Sequence, residues 1–365
     1  ENCMKSPLNI KNEMSFYNLS KFKYYVDIRK YMQEAMFYKS ENEFLKCELC
    51  PHNCIIPKNK KGICGVRQNI NQKLFSLVYG KTIAYHVDPV EKKPLYHFLP
   101  GSKIYSFSTM GCNLKCNFCQ NFDISQSLKG KNAEILGIQI SPKEIVKSAI
   151  ASHCKSIAMT YNEPTIFFEY AYEVCKIAKK HGLKTVFVTN GYIRKQPITK
   201  ISKFLDAVNI DLKSFNEYFY KKICGASLKP VLEAIKHYYK KGVFVEITTL
   251  VIPGENDSKE ELTKIAEFIK SIDKNIPWHI SAFHPDFKML EKEPTAIESL
   301  EKAYLIGKKT GLNYIYTGNI YGGHENTFCP KCKKAVVKRI AYNVIENNID
   351  KGHCMFCDNK ISGIY

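Results

Sequence analysis

The chain has 365 residues, 45% of them hydrophobic, and a formal net charge of +19. That length suits one large domain with one or two small modules, and the hydrophobic share is ordinary for a globular protein. No stretch approaches the roughly 18 unbroken apolar residues of a membrane-crossing helix, so no transmembrane span is expected.

Residues 1–40 form a polar and aromatic lead-in with helical character over Val26–Tyr38. They lack the apolar core of a signal peptide, so a cytoplasmic location is expected. Residues 41–100 read as loops and short strands, such as Leu74–Val78, around a first cysteine cluster. The cluster runs Cys47-x2-Cys50-Pro51-His52-x-Cys54-x9-Cys64-Gly65. Four cysteines suffice for one metal centre, zinc in preference to an iron–sulfur cluster, with His52 a competing ligand.

Residues 101–322 alternate strand-like and helix-like segments. The predicted strands are Ile104–Ser108, Ser156–Thr160, Thr185–Thr189, Ala207–Leu212, Phe244–Val251, Trp278–Phe283 and Asn313–Tyr316. Amphipathic runs near Pro142–Ser152, Thr165–His181, Pro197–Phe204, Leu228–Lys241, Ser258–Ile272 and Thr295–Thr310 separate them. Several open on Pro or Ser, and Gly182, Gly242 and Gly311 stand where C-capping glycines belong. Such alternation predicts a parallel sheet, and seven strands suit an open or nearly closed (β/α) barrel. A closed eight-stranded barrel or a doubly wound sheet satisfies the same periodicity.

The first predicted strand runs directly into Thr109-Met110-Gly111-Cys112-Asn113-Leu114-Lys115-Cys116-Asn117-Phe118-Cys119-Gln120-Asn121. A [4Fe–4S] cube bound only by protein needs four thiolates. Cys112, Cys116 and Cys119 supply three, leaving one iron open, and an open metal position separates a reactive site from a structural one. The bland alternative is three small buried hydrophobes that happen to be cysteines. Polar and glycine residues follow the later strands: Asn162-Glu163, Asn190-Gly191, Asp211 to Lys213, Pro253 to Asp257, His284 to Asp286, and Gly318-Asn319. In a barrel these would share one C-terminal rim, as a single active site requires.

Residues 323–365 carry Cys329-x2-Cys332 and Cys354-x2-Cys357, two knuckles with the ligand pattern of a closed zinc-ribbon-like site. A rubredoxin-like iron site shares that pattern. The segment is short, so metal is expected to supply much of its folding free energy.

Eleven of the fifteen cysteines thus fall in three clusters, and Cys3, Cys154, Cys175 and Cys224 read as incidental thiols. So many thiolate ligands imply a reducing, anaerobic interior. The charge of +19 invites a nucleic-acid reading, but metal-bound thiolates at two zinc sites would remove roughly four charges. The lysines are also dispersed among glutamates, which fits a solvated basic surface; nucleic acid is not the expected partner.

The three-cysteine loop resembles the signature of the radical S-adenosylmethionine (SAM) superfamily. The core looks like the pyruvate formate-lyase activating enzyme group, and more closely like the radical SAM member of the AmmeMemoRadiSam system. The residues carrying that likeness are Asp88–Pro100, the cluster loop into Gln120–Ser125, Thr160–Pro164, Thr189–Tyr192, Thr248–Asp257 and Trp278–Met289. The resemblance implies a partial (β/α) TIM-type barrel with a [4Fe–4S] cluster on Cys112, Cys116 and Cys119. It further implies reductive cleavage of SAM to a 5′-deoxyadenosyl radical that abstracts hydrogen from an unidentified small-molecule or protein substrate. An electron donor such as ferredoxin or flavodoxin goes with that chemistry.

Carried over residue by residue, Phe118 would pack against cluster or adenine. Related enzymes hold the SAM amino group with Gly-Gly-Glu. This chain has Tyr161-Asn162-Glu163-Pro164 instead, where Glu163 offers a carboxylate, Asn162 an amide oxygen, and the whole stretch alternatively a helix cap. Asn190 and Gly191 would lie near the methionine or ribose end. Asp211 and Lys213 are candidate catalytic groups or a plain buried ion pair. His284 is a further candidate with a structural alternative. A glycyl-radical activase is the competing enzymatic reading, and a zinc-containing basic nucleic-acid-binding or scaffold protein the non-enzymatic one.

Overall fold

The computed structural model describes residues 32–129 and 133–365. Cys3 and the first six residues of the expected Val26–Tyr38 helix lie outside them. In the described remainder of that stretch the helix is replaced by a strand. Gln33–Glu34 pairs antiparallel with Lys73–Ser76, and the Ala35 amide bonds the Leu74 carbonyl. Sheet pairing satisfies these backbone groups, which overrides local helical preference. Two small antiparallel sheets, one of Gln33–Glu34, Lys73–Ser76 and Arg67–Ile70, the other of Tyr38–Glu41, Phe44–Cys47 and Ile55–Ile56, carry the first cysteine cluster.

The seven predicted core strands all form, with ends displaced by no more than two residues. In space they lie in chain order: Lys103–Ser108, Ser156–Met159, Lys184–Thr189, Ala207–Asp211, Phe244–Val251, Trp278–Ala282 and Ile315–Gly318, every neighbouring pair parallel. Ala84–Pro89 adds an eighth, antiparallel strand beside Lys103–Ser108. Because the order never reverses, the sheet is singly wound, not doubly wound. It is open between Ile315–Gly318 and Ala84–Pro89.

Strands such as Ser156–Met159 and Ala207–Ile210 are wholly buried, as expected for a parallel sheet with covered faces. The crossover helices are locally encoded. Ser141 and Glu144 form a reciprocal capping box ahead of Pro142–Ala151, and Ser258 caps Lys259–Ile272 through the Glu261 amide. Leu228–Lys240 buries Leu228, Val231, Ala234, Ile235 and Tyr238, one helical stripe against the sheet. Gly307 permits close helix–sheet packing, since a Cβ there would stand 2.8 Å from Ile315 Cδ1.

The C-terminal segment forms a three-stranded antiparallel sheet of Thr327–Phe328, Ala335–Ile340 and Asn343–Asn347, then a short hairpin of Ile349–Asp350 and His353–Cys354. Buried Arg339 fastens it to the core, donating to the Tyr96 carbonyl at 2.7 Å and lying 4.3 Å over the Tyr96 ring. Fully buried His97 bonds the Ser362 carbonyl and the Tyr316 hydroxyl, both at 2.6 Å. Among the described residues no helix is long and apolar enough to cross a membrane.

Candidate active site

The loop after Lys103–Ser108 is held from four sides. Gly111 turns it at φ +98°, and its amide bonds the Ile124 carbonyl at 2.8 Å. The Asn162 amide donates to the carbonyls of Thr109 and Gly111 at 2.6 and 2.9 Å. The amides of Lys115 and Asn117 donate to the carbonyls of Cys224 and Ile223. The Cys119 thiol lies 3.0 Å from Ser125 Oγ. Cys112, Cys116 and Cys119 consequently line one cleft of about 420 Å³.

All three thiols are held above the ordinary thiol range. Burial is the largest cause for Cys112, followed by the Glu163 and Cys116 charges; for Cys119 burial again leads. Cys116 is raised first by a hydrogen bond with Cys224 and then by burial. Thiols so desolvated resist ionising alone, and a cationic iron centre is what would stabilise their thiolates. The donor set therefore fits an iron–sulfur cluster.

Asn162 lines the same cleft, and its amide oxygen is buried without a hydrogen-bond partner. A buried acceptor left unpaired is costly and marks a place for a donor. Glu163 is placed differently from expectation. It is buried off the cleft wall, with one carboxylate oxygen accepting from the Thr165 amide and Thr189 hydroxyl at 2.9 and 2.8 Å, the other from the Asn190 amide at 2.8 Å. Its carboxylate is used up in capping the Pro164–Phe167 turn and ordering the next strand end, so a direct ammonium contact is not supported.

Asn190 does reach the cleft, with its amide donating to Asn113 Oδ1 at 2.9 Å and 3.8 Å from Cys112 Sγ. Gly191 is not on the wall; it serves the turn, with φ +69° and Ile210 Cγ2 only 2.9 Å from any added Cβ. Asp211 and Lys213 both line the cleft as an ion pair at 2.9 Å. Burial opposes the Lys213 charge, but Asp211 and the neighbouring thiols outweigh it and hold the ammonium above its usual range. Lys213 also lies 5.4 Å over the ring of Phe118, itself a wall residue. His284 is exposed at the surface outside the cleft lining, because the chain turns outward beyond Trp278–Ala282.

Asp88, Lys93, Tyr342 and Cys224 were not among the expected site residues, although Asp88–Pro100 carried part of the family likeness. Buried Asp88 gathers Lys93 at 2.7 Å and the Tyr161 hydroxyl at 2.7 Å, and Lys93 lines the cleft. The Lys92-Lys93 pair flanking a turn was the available signal. Tyr342, in the turn between Ala335–Ile340 and Asn343–Asn347, adds a wall residue more than 200 positions from the loop, and nothing local marks it. Cys224, read as incidental, lies beside Cys116; its isolation in sequence hid this.

The two outer cysteine groups differ. Cys329, Cys332, Cys354 and Cys357 place all four sulfurs within 4.8 Å of one another, a set fit for one metal ion. Cys47, Cys50, Cys54 and Cys64 surround a small apolar cavity with His52, whose Nε2 is engaged 2.7 Å from the Asn113 carbonyl.

Comparison with known proteins places this geometry. Residues 106–269 match the family described as the Radical SAM superfamily. The uncharacterized protein MJ0808 of Methanocaldococcus jannaschii is 41% identical over 335 residues, covering 90% of this chain and 99% of that one. Pyruvate formate-lyase 1-activating enzyme of Escherichia coli K12 is 24% identical, covering 56% and 87%. A radical SAM methyltransferase structure from Sphaerobacter thermophilus shares the fold, with TM-score 0.51, 14% identity, and coverage of 81% and 80%. With its three-cysteine loop at the end of the first parallel strand and its relationship to activating enzymes, the chain belongs to the radical SAM superfamily of enzymes.

Proposed function

We propose that this enzyme is an oxidoreductase that holds a [4Fe–4S] cluster on Cys112, Cys116 and Cys119 and cleaves SAM reductively there, for hydrogen abstraction from a small-molecule or protein substrate. The observation that carries the reading is the shared cleft: Cys112, Cys116, Cys119 and Asn162, whose amide oxygen has no partner, line one space. When bound, the cluster with SAM supplies a 5′-deoxyadenosyl radical; the protein positions, orients and excludes water.

Each role follows from the local geometry. Asn162 locks the cluster loop through its amide nitrogen and keeps its oxygen free to accept from the SAM ammonium group. Asn190 orients Asn113 beside Cys112, and Glu163 fixes Asn190 by its amide. Phe118 gives an apolar wall between two ligands. Lys213, held charged by Asp211, places a positive group on the strand-end side of the cleft. The singly wound open sheet is read as a partial (β/α) barrel spanning residues 101–322, with residues 41–100 and 323–365 as separate modules. The C-terminal cysteines are read as a zinc-ribbon-like structural site.

Anaerobically reconstituted protein, reduced in the presence of SAM, is expected to release 5′-deoxyadenosine. A sample with a full cluster and no cleavage would overturn the reading. The likeness to the E. coli activating enzyme favours a second reading, glycyl-radical activation of a protein partner. A glycyl radical detected on the partner by electron paramagnetic resonance (EPR) decides between the two.

A further inference from the structure

We propose that Cys47, Cys50, Cys54 and Cys64 hold a second [4Fe–4S] cluster, set against the back of the loop that carries Cys112. The four cysteines line one apolar cavity together with Arg67 and Asn113. The spacing of their sulfurs distinguishes iron–sulfur from zinc. Zinc–thiolate bonds of about 2.3 Å in a tetrahedron bring sulfurs to roughly 3.8 Å of one another. The C-terminal set meets this: Cys329 and Cys357 stand 3.6 Å apart, Cys332 and Cys354 3.7 Å.

Among the described residues no other three cysteine, histidine or acidic side chains gather within 4.8 Å. The N-terminal four, even with His52, show no such convergence on one point, and neither do Cys112, Cys116 and Cys119. A cube with iron at its corners needs its thiolates farther apart than one ion does, and four cysteines close it completely.

The surroundings suit an anionic cluster. Arg67 is 1% exposed, its Nη1 is 3.8 Å from Cys47 Sγ, and its Nε is buried without a partner. A donor aimed at cluster sulfur is a recognised lever on potential. Glu169 holds the far side of the same guanidinium, so the cation is fixed in place.

The two cysteine sites share a wall. A Cβ on Gly111 would stand 2.8 Å from the Cys64 carbonyl, so the backbones of the two segments touch. His52 bonds the Asn113 carbonyl, and Asn113 is the covalent neighbour of Cys112. This contact makes the second cluster an electron relay, an assignment that rests on the SAM-cleaving function proposed for the loop. A low-potential one-electron donor reduces the N-terminal cluster. It is then reoxidised as that electron reduces the cluster at the loop, and no atom or proton moves.

The test uses the full chain with Cys112→Ala, Cys116→Ala and Cys119→Ala combined, reconstituted anaerobically. It is expected to retain about four iron and four sulfide per chain and a reduced-cluster EPR signal. Zinc at two per chain with no sulfide would overturn the proposal. Should that variant not fold, the unmodified chain decides: about eight iron support the second cluster, and about four iron with two zinc refute it. These readouts need no SAM cleavage, so they stand apart from failure of the catalytic reading. In the fully reduced chain the two signals are expected to broaden one another. Two independent, unperturbed spectra would overturn the relay.

Discussion

The three cysteines after the first parallel strand and the four at the C-terminus employ one ligand type in opposite surroundings. At the C-terminus all four sulfurs converge within 4.8 Å on short hairpins. In the loop, two buried thiols and a partly buried third line a cleft, beside an amide oxygen with no partner. The difference lies in what completes the coordination. A convergent foursome closes on one ion and stabilises its own segment, whereas three thiols leave a position to be filled from the cleft.

The sharpest break of that comparison is ligand removal. Cys116→Ala is expected to reduce 5′-deoxyadenosine release to background, roughly 10³-fold or more, while zinc content stays unchanged. Cys354→Ala is expected to do the reverse, freeing residues 323–365 to protease while the core keeps its circular dichroism. Structural zinc contributes on the order of 10 kcal/mol to small thiolate modules, so loss of order there should be complete. Activity should fall only partly, through Tyr342 at the cleft wall.

Asn162→Ala sharpens the reading of the open side. It removes an acceptor offered to a charged donor, worth about 1.5–3 kcal/mol, so SAM should bind roughly 10- to 100-fold more weakly by equilibrium titration. Unchanged affinity would leave Asn162 as a loop clamp alone.

A pH series tests how the C-terminal segment is anchored. Burial lowers His97 from 6.5 to about 4. The unfolded chain therefore binds the proton more readily, and this stability is full above the unfolded value. It drains as pH falls from about 6.5 toward about 4. Melting temperature should drop across that window, and His97→Gln should flatten the drop. The smallest effect is expected at Cys224→Ala: an altered cluster EPR spectrum or potential, with iron content unchanged. Loss of iron would instead make Cys224 a ligand.

Much of the framework was legible in the residues. The seven strands and the crossover helices follow from apolar runs, caps and glycines, because such signals are local and the helices carry their own stop and start chemistry. The cluster loop was legible because its ligands are close in sequence. The Asp211–Lys213 pair was anticipated as neighbours on a strand face; the ion pair forms, but the strand ends at Asp211 and Lys213 reaches back from the loop beyond it. Glu163 was misplaced for a physical reason: spacing puts it at the rim, but only the neighbouring Thr189 and Asn190 show that its carboxylate is already satisfied.

The grouping of the cysteines and the order of the strand-forming segments were thus determined by sequence alone, because covalent spacing sets which thiols can share a loop and periodicity sets which faces are apolar. Tertiary structure decided the rest. It set the outward turn of His284, the approach of Tyr342, the contact of Cys224 with Cys116, and the distance between sulfurs that separates one cysteine foursome from the other. The approaches of Tyr342 and Cys224 depend on residues 100 or more positions apart meeting across a packed core, where burial and hydrogen-bond satisfaction, not local pattern, choose the partner.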